Sequence, residues 1–306
     1  MTGPLVVVCG PTASRKSELA LGLAEALDGE LVCCDSVQVY RGFRIGSAAP
    51  SNDELARVPH HLFGVFPPDD PADAGRWARL ADEAIAEIRS RGKRPVVVGG
   101  TGLYLRALLS GLAPVPAIPP EVRERLGREL EEQGREALYQ RLCAVDPALA
   151  ARIEGGAANT QRVLRGLEVF EASGVSLSAH QAAWTPEPRY EAQLLMPVFR
   201  SDVLNRRIDA RVDAMFAAGL EDEVRSLLES GVERTCRPME SLGYRQVAAC
   251  LAGELTREEA IENTRKGHRA YAKRQRTWFR AVEGVTHLDG EAEDLVGLAL
   301  RSSSRI

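Results

Sequence analysis

The segment Gly10-Pro11-Thr12-Ala13-Ser14-Arg15-Lys16-Ser17 constrains the fold of this chain more than any other stretch. The apolar run Leu5-Val6-Val7-Val8-Cys9 leads into it, and the helical pattern from Glu18 to Ala24 leads out. Strand, tight loop with Lys-Ser, then helix is the layout of a phosphate-binding loop. Backbone N–H groups, a helix N-terminus and a lysine there share one anion. Alone, such a loop predicts a nucleotide ligand such as ATP. The usual pattern is G-x-x-x-x-G-K-[ST], and Arg15 stands where its second glycine belongs. An ordinary side chain there meets a strain of about 1–3 kcal/mol if the dihedral is unfavourable. Arg15 has three orientations open to it: out of the loop, inward as an extra cation, or inward as a steric block.

Further apolar runs repeat the alternation of strand and helix. Glu30 to Cys34 ends in Asp35-Ser36-Val37-Gln38, and Val96 to Val98 ends in Gly99-Gly100-Thr101-Gly102 after helical spacing over residues 74–89. Continuous apolar strands separated by helices predict an α/β fold, with a parallel sheet covered on both faces. Asp35 at a strand's C-terminal end sits where such sheets place ligands. It reads either as a turn or cap residue or as a carboxylate for a metal or proton. The glycines at 99, 100 and 102 permit close backbone approach beside the Thr101 hydroxyl, unless they mark a plain turn.

Proline-rich stretches at residues 113–120 and 184–188 bracket charged helical sequence. They predict a helical insertion domain over 116–185 within a core domain formed by 1–115 and 186–306. Beyond it come a returning strand, Gln193 to Val198, and a helix with Arg207 and Arg211 on one face. Helices follow around Glu221–Glu229, Met239–Leu251 and Arg257–Arg280.

A formal net charge of −4 argues against a nucleic-acid partner only on average. Arg265, Arg269, Lys273, Arg276 and Arg280 form a one-sided stripe, with no acid from 265 to 280. Like charges at that spacing destabilise an isolated helix, and a polyanion would offset them. A solvated surface face is the alternative. The six cysteines form no C-x-x-C pair and read as reduced core thiols, and the five histidines give no zinc pattern. No apolar run reaches the roughly eighteen residues that span a membrane. Met1-Thr2-Gly3-Pro4 leads directly into the first strand without an export signal, so a cytoplasmic protein is expected.

Several motifs in order resemble the tRNA dimethylallyltransferase (isopentenyl-tRNA transferase) family. They are the loop Gly10 to Ser17, Asp35-Ser36-x-Gln38-Val39-Tyr40-Arg41-Gly42, Ile45-Gly46 and His60-His61-Leu62. Val98 to Tyr104, Asp146-Pro147, Gln161-Arg162-Val163 to Val169, Gly243-Tyr244-Arg245 and Tyr271 to Phe279 complete the set.

The resemblance implies a P-loop kinase-like fold that moves a dimethylallyl group from its diphosphate to N6 of an adenosine. That adenosine lies 3′ of the anticodon in tRNAs reading codons that begin with U. It implies that Gly10, Pro11, Thr12, Ala13, Ser14, Arg15, Lys16 and Ser17 cradle the diphosphate, with Mg²⁺ held partly by Ser17. Asp35, Thr101 and Arg211 become the expected catalytic residues, Asp35 accepting the amine proton. Expected tRNA contacts are Asp35, Ser36, Val37, Gln38, Thr101, Arg123, Gln161, Arg162, Val163, Leu164, Arg165, Glu240, Ser241, Leu242, Gly243, Tyr244 and Arg245. A base leaves the folded anticodon loop to reach such a site. A monomer with no membrane partner is expected. The alternatives are a small-molecule kinase using the loop for ATP, and a tRNA-binding homologue impaired by Arg15.

Overall fold

The computed structural model describes residues 3–153 and 155–302. The expected N-terminal lead Met1-Thr2 and the outermost ends of the core segments lie outside the described residues. The chain divides into two compact units: Met1–Ser110 with Pro188–Ile306, and Gly111–Glu187.

The apolar runs of the first unit become the strands of one six-stranded sheet. They are β1 (Leu5–Cys9), β2 (Gly29–Cys33), β3 (His60–His61), β4 (Arg94–Gly99), β5 (Ala192–Val198) and β6 (Val285–Asp289). Their order is β3-β2-β4-β1-β5-β6, and every pairing is parallel. No residue of β1 exceeds 1% exposure, so this strand is covered on both faces. Leu5, Val7 and Cys9 point into one core with Trp77 and Ile85 of the helix Ala74–Ser90. Val6 and Val8 point into the other with Leu19 and Leu23 of the helix Lys16–Ala26. Each fully buried valine or leucine contributes roughly 1.5–3 kcal/mol. That sum explains why runs without polar alternation were selected here. The expected parallel sheet flanked by helices is what forms.

Register then positions the site. Cys9 at the end of β1 lies opposite Gly99 at the end of β4, and Cys33 of β2 lies opposite Val98. Three strand-end loops, 10–15, 34–38 and 100–102, therefore leave the sheet along one edge, where parallel sheets collect ligands.

The helix expected over Met239–Leu251 begins only at Tyr244. Gly243 has φ 91°, outside the helical region, and residues 239–243 form turns instead. Among the described residues no helix is long and apolar enough to cross a membrane.

The second unit packs its own core from Leu126, Leu138, Leu142, Val163 and Leu167. Its long helical stretch, Pro120–Val145, breaks at Gly134, whose φ of 79° suits glycine. Glu171 binds Arg125 and Arg141, joining helices that neighbour in space.

Candidate active site

The phosphate loop carries two non-glycine residues in the left-handed region, Ala13 and Arg15, both with φ 63°. Arg15 points out of the loop. Its Nη1 donates to the carbonyls of Gly290 at 2.8 Å and Ala292 at 2.9 Å, and its Nε and Nη2 bind Glu18. The strain of the αL backbone is thereby offset by bonds made outside the anion site. The cradle remains open.

Inside the loop, Lys16 Nζ donates to the Pro11 carbonyl at 3.2 Å. The Thr12 N–H donates to Gln275 Oε1 at 2.9 Å, and Gln275 Nε2 donates to the Gly100 carbonyl at 2.9 Å. One buried amide thus stitches the loop after β1 to the loop after β4. Gly100 is required for that contact, because a Cβ there would lie 2.3 Å from Gln275 Nε2. At Gly99 a Cβ would lie 1.9 Å from the Cys34 carbonyl oxygen.

Asp35 follows β2 and closes a turn, its Oδ1 accepting from the N–H groups of Val37 at 2.8 Å and Gln38 at 3.2 Å. Its Oδ2 has no protein partner among the described residues. Gln38 is fixed by donating to the Ser47 and Ala48 carbonyls. Thr101 Oγ1 accepts from the Ser36 N–H at 3.1 Å, so its hydroxyl braces the Asp35-Ser36 turn from behind. Arg211, on the helix Ser201–Ala217, reaches the Ser47 carbonyl at 3.4 Å.

These groups surround a cavity of about 380 Å³. Thr12, Lys16, Ser17, Asp35, Ser36, Val37, Gln38, Arg211, Glu240, Ser241, Leu242 and Arg245 line it, all of them expected from the sequence. A second cavity of about 420 Å³ is lined by Ala13, Ser14, Arg15 and Arg207. Lys16, Ser17 and Arg211 line both, so the two spaces meet at these three residues.

The electrostatics favour an anion. Lys16 and Arg211 are half-buried, yet protein encloses them enough that desolvation lowers both pKa values. For Lys16 the value falls to about 8, with the neighbouring Arg211 charge adding to the effect and Asp35 opposing it. Two cations facing one carboxylate leave uncompensated positive charge. Unpartnered polar atoms gather here as well: Ser14 Oγ, Arg211 Nε and both ring nitrogens of His268 are buried without a hydrogen bond among the described residues.

Other expected residues have different roles. Tyr244 is fully buried, its hydroxyl donating to Glu223 at 2.6 Å, and the Gly243 N–H donates to Gln246. Val163 is 1% exposed in the core of the second unit. Burial removes the side chains of Tyr244 and Val163 from direct contact with any substrate, so both act as supports. In that unit Gln161 and Arg162 are exposed, Leu164 is half-buried, and Arg165 and Arg123 lie 3.2 and 3.9 Å from Glu168.

The basic stripe is also corrected. Arg265 pairs with Asp213, and Arg269 with Asp209 at 2.7 Å, both acids lying on the helix Ser201–Ala217. The counter-charges absent from residues 265–280 come from that neighbouring helix and from Glu262, one turn earlier on the stripe's own helix, which pairs with Arg265 at 3.5 Å and Arg269 at 3.1 Å. Lys273 and Arg280 are exposed and have no side-chain partner among the described residues. The residues of this helix that line the cavity are His268, Tyr271, Arg274 and Gln275. Positions 268, 271 and 275 share a face at helical spacing, beside the stripe rather than on it. That periodicity was the signal available for them.

For a metal, no group of three His, Cys, Asp or Glu gathers among the described residues. The oxygen donors at hand are the exposed Ser17 hydroxyl and the free Oδ2 of Asp35. So few protein ligands suit Mg²⁺, which keeps waters and takes phosphate oxygens as ligands.

A family model described as IPP transferase matches residues 38–282. The tRNA dimethylallyltransferase 1 of Trichlorobacter lovleyi is 46% identical over 94% of this chain and 95% of its own. The tRNA dimethylallyltransferase of Geobacter sulfurreducens is 47% identical over 90% and 88%. Among solved structures, a tRNA isopentenylpyrophosphate transferase from Bacillus halodurans superposes with TM-score 0.69 at 34% identity, covering 98% of each chain. A eukaryotic dimethylallyltransferase acting on tRNA superposes with TM-score 0.78 at 26% identity, over 94% of this chain and 74% of that one.

Proposed function

This chain belongs to the IPP transferase family, and on that premise we propose that it transfers a dimethylallyl group from dimethylallyl diphosphate to tRNA. The acceptor in this proposal is N6 of the adenosine immediately 3′ of the anticodon, in tRNAs reading codons that begin with U. The observation that carries the reading is the cavity joining the phosphate loop, Lys16 and Arg211 to the free carboxylate oxygen of Asp35.

The adenine amine is a weak nucleophile because its lone pair is delocalised into the ring. As its nitrogen bonds to the allylic carbon, the carbon–oxygen bond to diphosphate breaks and negative charge grows on the leaving group. Lys16, Arg211 and the loop amides stabilise that charge, the two cations being already partly desolvated by the protein around them. Asp35 hydrogen-bonds the amine and takes its proton, while the turn to Val37 and Gln38 holds the carboxylate in place. Ser17 would help to hold a Mg²⁺ ion brought with the diphosphate, and that ion would supply further charge neutralisation. Thr101 acts through Ser36, as a brace for the turn. Ser36, Val37 and Gln38 meet the extruded base and its neighbours, and Glu240, Ser241, Leu242 and Arg245, with the exposed Gln161 and Arg162, meet the stem-loop. The proposal takes the chain as a cytoplasmic monomer.

The outward Arg15 supports an active enzyme over an impaired homologue, since it leaves the cradle unobstructed. Incubation with dimethylallyl diphosphate, Mg²⁺ and unmodified tRNA tests the reading. Prenylated adenosine is the expected product. ATP turnover without prenyl transfer would establish a kinase instead, and tRNA binding with neither activity would establish a degenerate homologue.

A further inference from the structure

His268 is 8% exposed, lines the main cavity, and has both ring nitrogens without a hydrogen-bond partner among the described residues. Its helix already touches the phosphate loop, because Gln275, seven residues on and on the same face, accepts from the Thr12 N–H. Its charged neighbour is Arg211, whose Nε is likewise buried and unpartnered. Polar atoms buried without partners are rare, and two such side chains on one cavity wall indicate groups reserved for a ligand.

We propose that His268 is a direct diphosphate contact, its imidazole N–H donating to the leaving group alongside Lys16 and Arg211. The inference rests on the prenyl-transfer reading above and deepens it at one residue. A third fixed cation beside Lys16 and Arg211 would repel both in the empty site. Desolvation and the Arg211 charge keep His268 neutral there, with a pKa pushed down to about 4. A neutral imidazole can therefore be buried among cations at small electrostatic cost, and still present a donor when the anion arrives. The carboxylates lining the same cavity are Asp35, Glu54 and Glu240, and Asp35 already accepts two backbone N–H groups.

The test compares the full-length wild type with His268→Leu and His268→Gln. Binding of inorganic pyrophosphate with Mg²⁺ is measured by calorimetry, and KM is measured separately for dimethylallyl diphosphate and tRNA. Leucine removes the donor and should weaken pyrophosphate binding about tenfold, the scale of one hydrogen bond to a charged acceptor. KM for the prenyl diphosphate should rise in parallel, with KM for tRNA unchanged. Glutamine keeps a neutral donor and should recover most of the affinity. The melting temperature of His268→Leu should hold or rise, because an unpartnered polar group leaves the interior. Unchanged pyrophosphate affinity in His268→Leu overturns the inference, and so does a shift confined to the KM for tRNA. Weaker binding accompanied by a lower melting temperature also overturns it, in favour of a structural role. Prenyl transfer by the wild type in the same assay keeps the functional reading standing whichever way His268 falls. A wild type that neither transfers nor binds pyrophosphate overturns both.

Discussion

Arg15 donates to the Gly290 carbonyl at 2.8 Å, tying the phosphate loop to the turn after β6 across 275 residues of sequence. The same nitrogen reaches Ala292, and Glu18 takes the other side of the guanidinium. A position that usually needs glycine has become an anchor.

Replacing Arg15 should therefore cost stability even where it relieves strain. Hydrogen bonds from a charged donor contribute about 1.5–3 kcal/mol each, against about 1–2 kcal/mol for the left-handed backbone. Arg15→Gly should lose about 1–2 kcal/mol in denaturant unfolding, and Arg15→Ala about 1 kcal/mol more, because alanine keeps the strain without the bonds. KM for dimethylallyl diphosphate should rise in both as the loop loosens. A more stable Arg15→Gly would show that the strain outweighs the anchor.

Asp35→Asn preserves an acceptor for the Val37 and Gln38 N–H groups but cannot take a proton. Single-turnover transfer should fall about 10²–10⁴-fold, with tRNA affinity nearly unchanged. Near-normal turnover would remove Asp35 from the proton path.

Lys16 gives a pH signature. Its folded-state pKa is lowered from 10.5 to about 8, so between these values the unfolded chain holds a proton that the folded chain has released. Through this group, stability should rise with pH across that window, since the penalty of burying the charge is present below about 8 and relieved above. Affinity for pyrophosphate should move oppositely, weakening as Lys16 loses its proton. In Lys16→Arg, which does not titrate there, both trends should flatten. Calorimetry and unfolding at pH 7–10 separate the two.

Gln275→Ala leaves the Thr12 N–H and the Gly100 carbonyl without their partner. The expected cost is about 1–3 kcal/mol, with faster amide exchange at Thr12 than at β1. Equal protection in mutant and wild type would mean that water replaces the side chain.

The stripe divides into paired and unpaired members. Lys273→Ala or Arg280→Ala should each lower the slope of log affinity for tRNA against log salt by about 0.7–0.9. Arg265→Ala should leave that slope unchanged while lowering stability, because Asp213 loses its partner. Equal slopes for all three would place tRNA elsewhere.

Much of this was legible from local patterns. The parallel sheet could be read because Leu5–Cys9 and Val96–Val98 are apolar without alternation, which only two-sided burial explains. Asp35 could be read because a carboxylate followed the end of such a strand. Partners distant in sequence could not be read. Nothing in Arg15 points to Gly290, nothing in Arg269 points to Asp209, and the buried setting of Tyr244 appears only when Glu223 and Phe43 close around it. His268 carries no such local pattern, because the charges of its helix lie on the neighbouring face.

The strand order has a consequence for how the chain emerges during synthesis. β1 pairs with β4 on one side and with β5 on the other, and Gly99 and Ala192 are separated by the stretch containing the whole second unit. At roughly 5–20 residues per second, the far edge of β1 waits about 5–20 seconds for its partner. During that interval a fully apolar strand presents open hydrogen-bonding groups, the usual template for unwanted pairing. The intervening residues form a core of their own, so the nascent chain has something to fold while its central strand is half-clothed. Chaperone dependence should therefore peak late in translation, before β5 has left the ribosome.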